Sequence, residues 1–313
     1  MDQNEVREQT GEQLPSVIPA PATVPATSRR SGTAISPQAG TGTCATCGDP
    51  LGSSPDGGIT YPYVYAIGKV EIRFPSIGVE KEFAQATGRA ESKGLTDRQA
   101  LYDTLKQQRY LARRMCYVLT IGGFETYLLQ ARDPLDLDLL VEAIRPEPSP
   151  LDLDAVVGVR GPIAPPEMCN GLMVPIVAFD QLYSFDRDSL RKSIPRPENV
   201  PEDKFSDTAS ELLDRIMLIA DNAGATDEDR ALNYLAMRYE RIYSATAEAF
   251  GRNESLTGVE VRAAPLSSTR KIVDVIFSYT NRSTDVVEKF SVRVDVTEEF
   301  PFLVTKLSPY YDR

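Results

Sequence analysis

The stretch "RKIVDVIFSYTNRSTDVVEKFSVRVDV", residues 270–296, constrains this chain more than any other. Val273, Val275, Phe277 and Tyr279 fall at every second position, so they share one face of an extended strand. After the turn "NRST", Val286, Glu288, Phe290, Val292 and Val294 repeat the period, on the same face or its partner. Two alternating strands around a short turn make an antiparallel meander with one apolar face that needs a cover.

The cover is expected just upstream. "DTASELLDRIMLIADNAG", residues 207–224, sets Leu212, Leu213, Ile216, Met217 and Ala220 at helical spacing and ends on Gly224, in a capping position. "TDEDRALNYLAMRYERIYSATAEAFGR" opens on Thr226 and a run of acids, which suits a helix N-terminus, and reads as a second long helix. These helices are expected to pack on the meander. Earlier in the chain, "YPYVYAIGKVEIRFPS" has strand composition although Val64, Ile67, Val70 and Ile72 do not alternate cleanly. A helix follows from Val79 to Gly88. Another starts at Thr96, with Gln99 three residues on, and carries Leu101, Tyr102, Leu105 and Leu111 inward. "CYVLTIGGFETYLLQ" is a hairpin about Gly122 and Gly123. Pro134 suits the first position of a further helix, and "DAVVGVRG" and "LMVPIVAFDQLYSF" read as strands. Runs of strands and runs of helices without βαβ alternation give an α+β class with antiparallel sheets.

Residues 1–58 differ in kind. "LPSVIPAPATVPATSRRSGTAISPQAGTG" holds few large apolar groups and cannot offset its ordering entropy, so a disordered Pro/Ala/Ser/Thr-rich tail is expected there. Three prolines in "RKSIPRPENVPEDKF", at 195, 197 and 201, suggest a boundary. The expected organisation is the tail, a subdomain over residues 59–195 and a second over residues 196–313.

For chemistry, the decisive count is zero histidines in 313 residues. That removes Ser-His-Asp triads, Cys-His dyads and histidine-bearing metal sites from this chain. A formal net charge of −11 argues against nucleic acid and anionic membrane surfaces as partners. The polar, acidic start "MDQNEVREQTGEQ" does not read as a secretory signal, and a cytoplasmic location is expected. Carboxylate clusters such as "DPLDLDLLVE" and "TDEDR" read as solvated faces.

Four cysteines remain. Cys44 and Cys47 form a CxxC in the tail, Cys116 stands at a helix-to-strand junction and Cys169 in the loop "GPIAPPEMCNGLMVP". With no histidine, these four make up one Cys₄ set, so a structural Zn²⁺ that clips the tail to the core is one reading. A buried Cys116 and an incidental CxxC is the other. The loop around Cys169 is stiffened by prolines. It is a candidate recognition loop, with Pro165 and Pro166 fixing the backbone and Glu167 and Asn170 offering polar contacts; a rigid connector is the plain alternative.

The strings "YVYAIGKVEIRFPSIGVEKEFAQATGRA", "GPIAPPEMCNGLMVPIV", "ADNAGATDEDRALNYLAMRYERIY" and the terminal "RKIVDVIFSYTNRSTDVVEKFSVRVDVTEEFPFLVTKLSPYYDR" resemble the C-terminal domain of unknown function of cyanobactin maturation proteases, of the PatA/PatG type. The resemblance covers about residues 60–313. In that family the domain follows a subtilisin-like protease domain, which needs a histidine that this chain lacks. The resemblance therefore implies the appended domain, free-standing, in the setting of ribosomal peptide maturation. It implies no reaction and no catalytic residue. The leading expectation is a non-catalytic accessory protein that binds a precursor peptide or a maturation protease, or pairs with itself as a homodimer. The alternative is an enzyme that uses Cys169 or Glu167 in peptide modification.

Overall fold

The structure is a computed structural model that describes residues 62–87, 97–146, 153–185, 201–217, 222–264 and 269–311. The tail expected over residues 1–58, with Cys44 and Cys47, lies outside the described residues. Residues from Pro62 onward belong to one compact unit.

Five strands close a small barrel in the order β1-β2-β3-β5-β4. β1 (Tyr63–Arg73) pairs antiparallel with both β2 (Cys116–Ile121) and β4 (Leu153–Ile163), which closes the sheet on itself. β3 (Phe124–Ala131) returns from β2 through Gly122 and Gly123, whose φ values of 58° and 87° are those of a tight hairpin turn. β5 (Pro175–Phe185) pairs antiparallel with β4 and parallel with β3. That single parallel pair departs from the all-antiparallel expectation. Strand direction cannot alternate all the way round a closed ring of five, so one neighbouring pair must run parallel.

The barrel explains why β1 fails to alternate. Val64, Ala66 and Val70 enter a core beneath the small helices, while Tyr65 and Ile67 enter a second core on the opposite face. A strand buried on both faces reads as a continuous apolar run. Four helices cover the first core: α1 (Ile77–Ala86), α2 (Asp97–Gln107), the short α3 (Arg109–Ala112) and α4 (Leu137–Ala143). The single helix expected from Thr96 is broken at Gln108, whose ψ of 74° is not helical.

The second sheet is the predicted meander: β6 (Glu254–Ala263), β7 (Ile272–Asn281) and β8 (Val287–Asp295), with β9 (Phe302–Leu303) and β10 (Ser308–Pro309) on β8. Val273, Val275, Phe277 and Tyr279 are all buried, and the register sets Phe277 opposite Phe290 and Val275 opposite Val292. Val286 and Glu288 are exposed at the turn end, so the apolar face of β8 starts later than its sequence period suggests.

Helices α5 (Glu202–Met217), α6 (Asp227–Arg238) and α7 (Arg241–Gly251) share their core with this sheet and with Tyr65, Ile67, Ala155 and Val157 of the barrel. The predicted second long helix is two helices, because Tyr239 takes φ −122° and ψ 85° between them. Asn222 and Ala223, just before Gly224, are not helical. Gly224 lies at φ 70°, its carbonyl accepts the Tyr65 N–H at 2.9 Å, and a Cβ there would collide with the Tyr65 carbonyl. Only glycine combines that conformation with that approach.

Candidate functional site

A cleft of about 780 Å³ opens where β1, β5, α6, α7 and the segment after β8 meet. That volume lies within the ordinary range for a ligand site, roughly 300–1,000 Å³. Tyr65 and Gln181 form its floor, Tyr234 and Arg238 one wall, and Phe300, Leu303 and Leu307 the other.

The helical wall is built first. Thr226 caps α6 by accepting the Asp229 N–H at 3.0 Å, and Asp227, Glu228 and Asp229 suit the helix dipole in the first turn. Asn233 then fixes the helix to the barrel. Its amide donates to the Tyr65 carbonyl at 2.8 Å, and it exchanges hydrogen bonds of 2.8 and 3.0 Å with Asn222. One turn of helix separates Tyr234 from Arg238, so both project from one face. Tyr65 meets Tyr234 edge-to-face at 6.4 Å, and Arg238 lies 5.0 Å over the Tyr183 ring.

The opposite wall is held at both ends. Arg230, 2 % exposed, donates to the Val296 carbonyl at 2.8 Å and also to the carbonyls of Glu298 and Glu299. The Tyr239 hydroxyl accepts the Leu307 N–H at 2.9 Å. Between these anchors β9 pairs with the end of β8, so a stretch without much secondary structure has little freedom.

The electrostatics of the floor are unusual for so acidic a chain. The hydroxyls of Tyr65 and Tyr183 share a short hydrogen bond. Burial, then the Tyr183 neighbour, push the Tyr65 phenol far above its ordinary range, so it stays protonated at neutral pH. Burial works against the Arg238 charge, but Tyr183 and Tyr65 more than offset it. No carboxylate among the described residues pairs with Arg238 or with Lys306 at the mouth. Arg241, also in the lining, is already held by Glu248 at 2.7 Å. Glu240 is the acid of the lining, and burial raises its carboxyl. The cleft thus keeps a cationic excess inside a molecule of net charge −11.

Beside the cleft, Asp180 of β5 and Glu299 bring two carboxyls together under Arg132, which lies 2.6 Å from Asp180 and 3.8 Å from Glu299. Burial and then the Asp180 contact raise Glu299 to about 7.

The residues singled out from the sequence lie elsewhere. Cys116 and Cys169 are neighbours joined as a disulfide, with Cα atoms 6.0 Å apart, in a small core with Val118, Leu128 and Ala164. Among the described residues no group of three or more cysteines and carboxylates is arranged around a metal position. Cys44 and Cys47 are outside the described residues. The disulfide ties the proline loop to β2, and hydrogen bonds from the Ala164 N–H to Val174 O and from the Gly171 N–H to Pro166 O complete it. Pro165, Pro166, Glu167 and Asn170 are all exposed on that loop. Gln181 lies six residues into β5, about 20 Å from the loop end at ~3.3 Å per residue, so loop and cleft are separate. Sequence reasoning passed over Arg238 and Tyr234 because "NYLAMRYERIY" reads as a plain amphipathic helix.

Comparison with known proteins bears on this fold. Residues 199–310 match the PatG C-terminal family. The resemblance read from the sequence is thereby supported over α5 to β10. A solved structure titled "PatG Domain of Unknown Function" superposes with a TM-score of 0.66 at 20% identity, covering 80% of this chain and 99% of that one. At that identity the likeness is one of fold, and it extends beyond the matched region into the barrel. No curated protein matches the chain. Among the described residues no helix is long and apolar enough to cross a membrane.

Proposed function

We propose that this chain is a non-catalytic accessory domain that binds peptide during maturation of ribosomally synthesised, cyanobactin-like peptides. The partner would be a precursor peptide or a segment of a maturation protease. One observation carries the reading: a preformed cleft, lined by the apolar side chains of Phe300, Leu303 and Leu307 together with hydrogen-bonding groups such as the buried Tyr65, in a fold like that of the PatG C-terminal domain. Ser244 is the serine of the lining, and its hydroxyl donates to the Arg241 carbonyl and accepts from the Arg241 guanidinium rather than facing a base. The test is photo-crosslinking. A benzophenone side chain at Phe300, on the cleft rim, should label a pool of synthetic hexapeptides. The same group at Phe124, in the hairpin end of the barrel, should not. Equal labelling at both positions, or none, would contradict the proposal.

A second proposal concerns the cysteines. Cys116 and Cys169 already stand side by side, so in the reduced state they offer two thiolates at one place. Cys44 and Cys47 would complete a structural Zn²⁺ site. The disulfide and the metal compete for the same sulfurs. Protein purified under reductant should therefore carry close to one zinc per chain and lose it on oxidation. Metal-free reduced protein would end the zinc proposal.

A further inference from the structure

The cleft has an order from floor to mouth. Tyr65, at the floor, is 3 % exposed. Arg238 lies half-buried beside it, with its guanidinium over Tyr183 and without a carboxylate partner among the described residues. Leu303 and Leu307 are partly covered farther out, and Phe300 and Lys306 are exposed at the mouth. A ligand that matched this order would carry its negative charge at its leading end and apolar side chains behind it. An extended peptide that enters by its C-terminus has that layout, since the free carboxylate precedes the last side chains.

We propose that the cleft recognises the free C-terminal carboxylate of a peptide with apolar final residues, with Arg238 as the anchor and Lys306 as a second cation at the mouth. The inference rests on the cleft being a peptide site and adds the chemistry of its ligand. A guanidinium meets a carboxylate through two parallel N–H donors, and such paired contacts hold direction as well as charge. The Tyr183 ring, 5.0 Å from the guanidinium, and hydrogen bonds to the Tyr65 and Tyr183 hydroxyls restrain the Arg238 fork before the ligand arrives, so less freedom is lost on binding. Partial burial keeps water from screening the contact. The protonated Tyr65 and Tyr183 hydroxyls add no negative charge that would repel the incoming anion. Leu303, Leu307 and Phe300 offer surface to the apolar residues that follow. Charge complementarity favours this occupant: Arg238 and Lys306 give the cleft a local cationic excess on a chain that is otherwise net negative at −11, so an anion is steered to the cleft and away from the rest of the surface.

The experiment uses the full chain and three N-terminally fluorescein-labelled tetrapeptides read by anisotropy: Ala-Ala-Val-Leu as the free acid, the same peptide as its C-terminal amide, and Ala-Glu-Val-Leu amide. The free acid should bind roughly tenfold or more tightly than its amide, as expected for loss of one charge-assisted pair. The glutamyl amide should bind no better than the plain amide. Arg238→Gln should bring acid and amide to the same affinity. Because Arg238 also packs on Tyr183, the exposed Lys306→Gln provides an independent arm. It should weaken the acid about threefold and leave the amide unchanged. Equal binding of acid and amide to the native chain overturns the carboxylate inference while peptide binding stands. Equal binding of the glutamyl amide and the free acid overturns the terminal assignment. Failure of all three tetrapeptides overturns the inference alone if hexapeptides still label Phe300, and both readings if they do not.

Discussion

Asp154 shows how one residue sets a pH response. It is 1 % exposed, its carboxylate accepts the Val70 N–H at 2.6 Å, and it takes a short hydrogen bond from the Ser184 hydroxyl. Burial raises its pKa to about 6 despite both contacts. An unfolded aspartate releases its proton near ~4. Between about 4 and 6 the folded chain binds a proton that the unfolded chain has lost, so this group's contribution to stability falls as pH rises through that window. Asp154→Asn cannot ionise and can keep both contacts. Denaturant titrations from pH 4 to pH 7 should show a flatter pH dependence for Asp154→Asn than for the native chain; identical slopes would contradict the assignment. Asp154→Ala strands the Val70 N–H and should cost roughly 1–3 kcal/mol at any pH. None of this was legible in "LDLDAVVGV", where Asp154 looks like one more solvated acid. The partner Val70 lies 84 residues away, brought close by the β1–β4 pairing that closes the barrel.

At the scale of elements, local signals carried far. The alternation of β7, the glycine hairpin of β2 and β3 and the Thr226 cap of α6 are properties of neighbouring residues, and they stand in the structure where the sequence places them. Thr226→Ala should lower stability by about 1 kcal/mol in thermal or chemical unfolding, since the Asp229 N–H loses its acceptor. A change below about 0.3 kcal/mol would mean that water serves the N–H as well. Two helix breaks were not legible. Gln108 and Tyr239 sit within good helical patterns, and what turns the chain there is tertiary: Leu111 must reach the barrel core, and the Tyr239 hydroxyl must reach the Leu307 N–H. The parallel β3–β5 pair and the closure of the barrel were illegible for a related reason. They depend on which distant strands meet, and strand composition is silent on that.

At the scale of the whole molecule, the cleft exists because two sheets share one set of helices. Its lining comes from residues 65, 181, 234–244 and 300–307, so no local motif announces it. The absence of histidine was legible and excluded whole classes of catalysis, but the position of Arg238 over Tyr183 was not. The Asp180–Glu299 pair links β5 of the barrel to the segment that forms the outer wall. Glu299, raised to about 7 from an ordinary value near 4.5, holds its proton in the fold when the unfolded chain has lost it. Stability from this group is therefore lost as pH climbs from about 4.5 to about 7. Glu299→Gln should shed that part of the dependence, so its melting temperature relative to the native chain should rise between pH 5 and pH 8. A constant difference across that range would show that the pair does not share a proton.

The central claim is that the cleft, and not the stapled proline loop, receives peptide. Backbone amide shifts of the full chain, followed as the free-acid Ala-Ala-Val-Leu is titrated in, test it most directly. Saturable shifts should gather at Tyr65, Tyr234, Arg238 and along Leu303 to Leu307, with Met168 to Leu172 unmoved. Saturable shifts confined to Met168–Leu172, with the cleft amides still, would contradict the account.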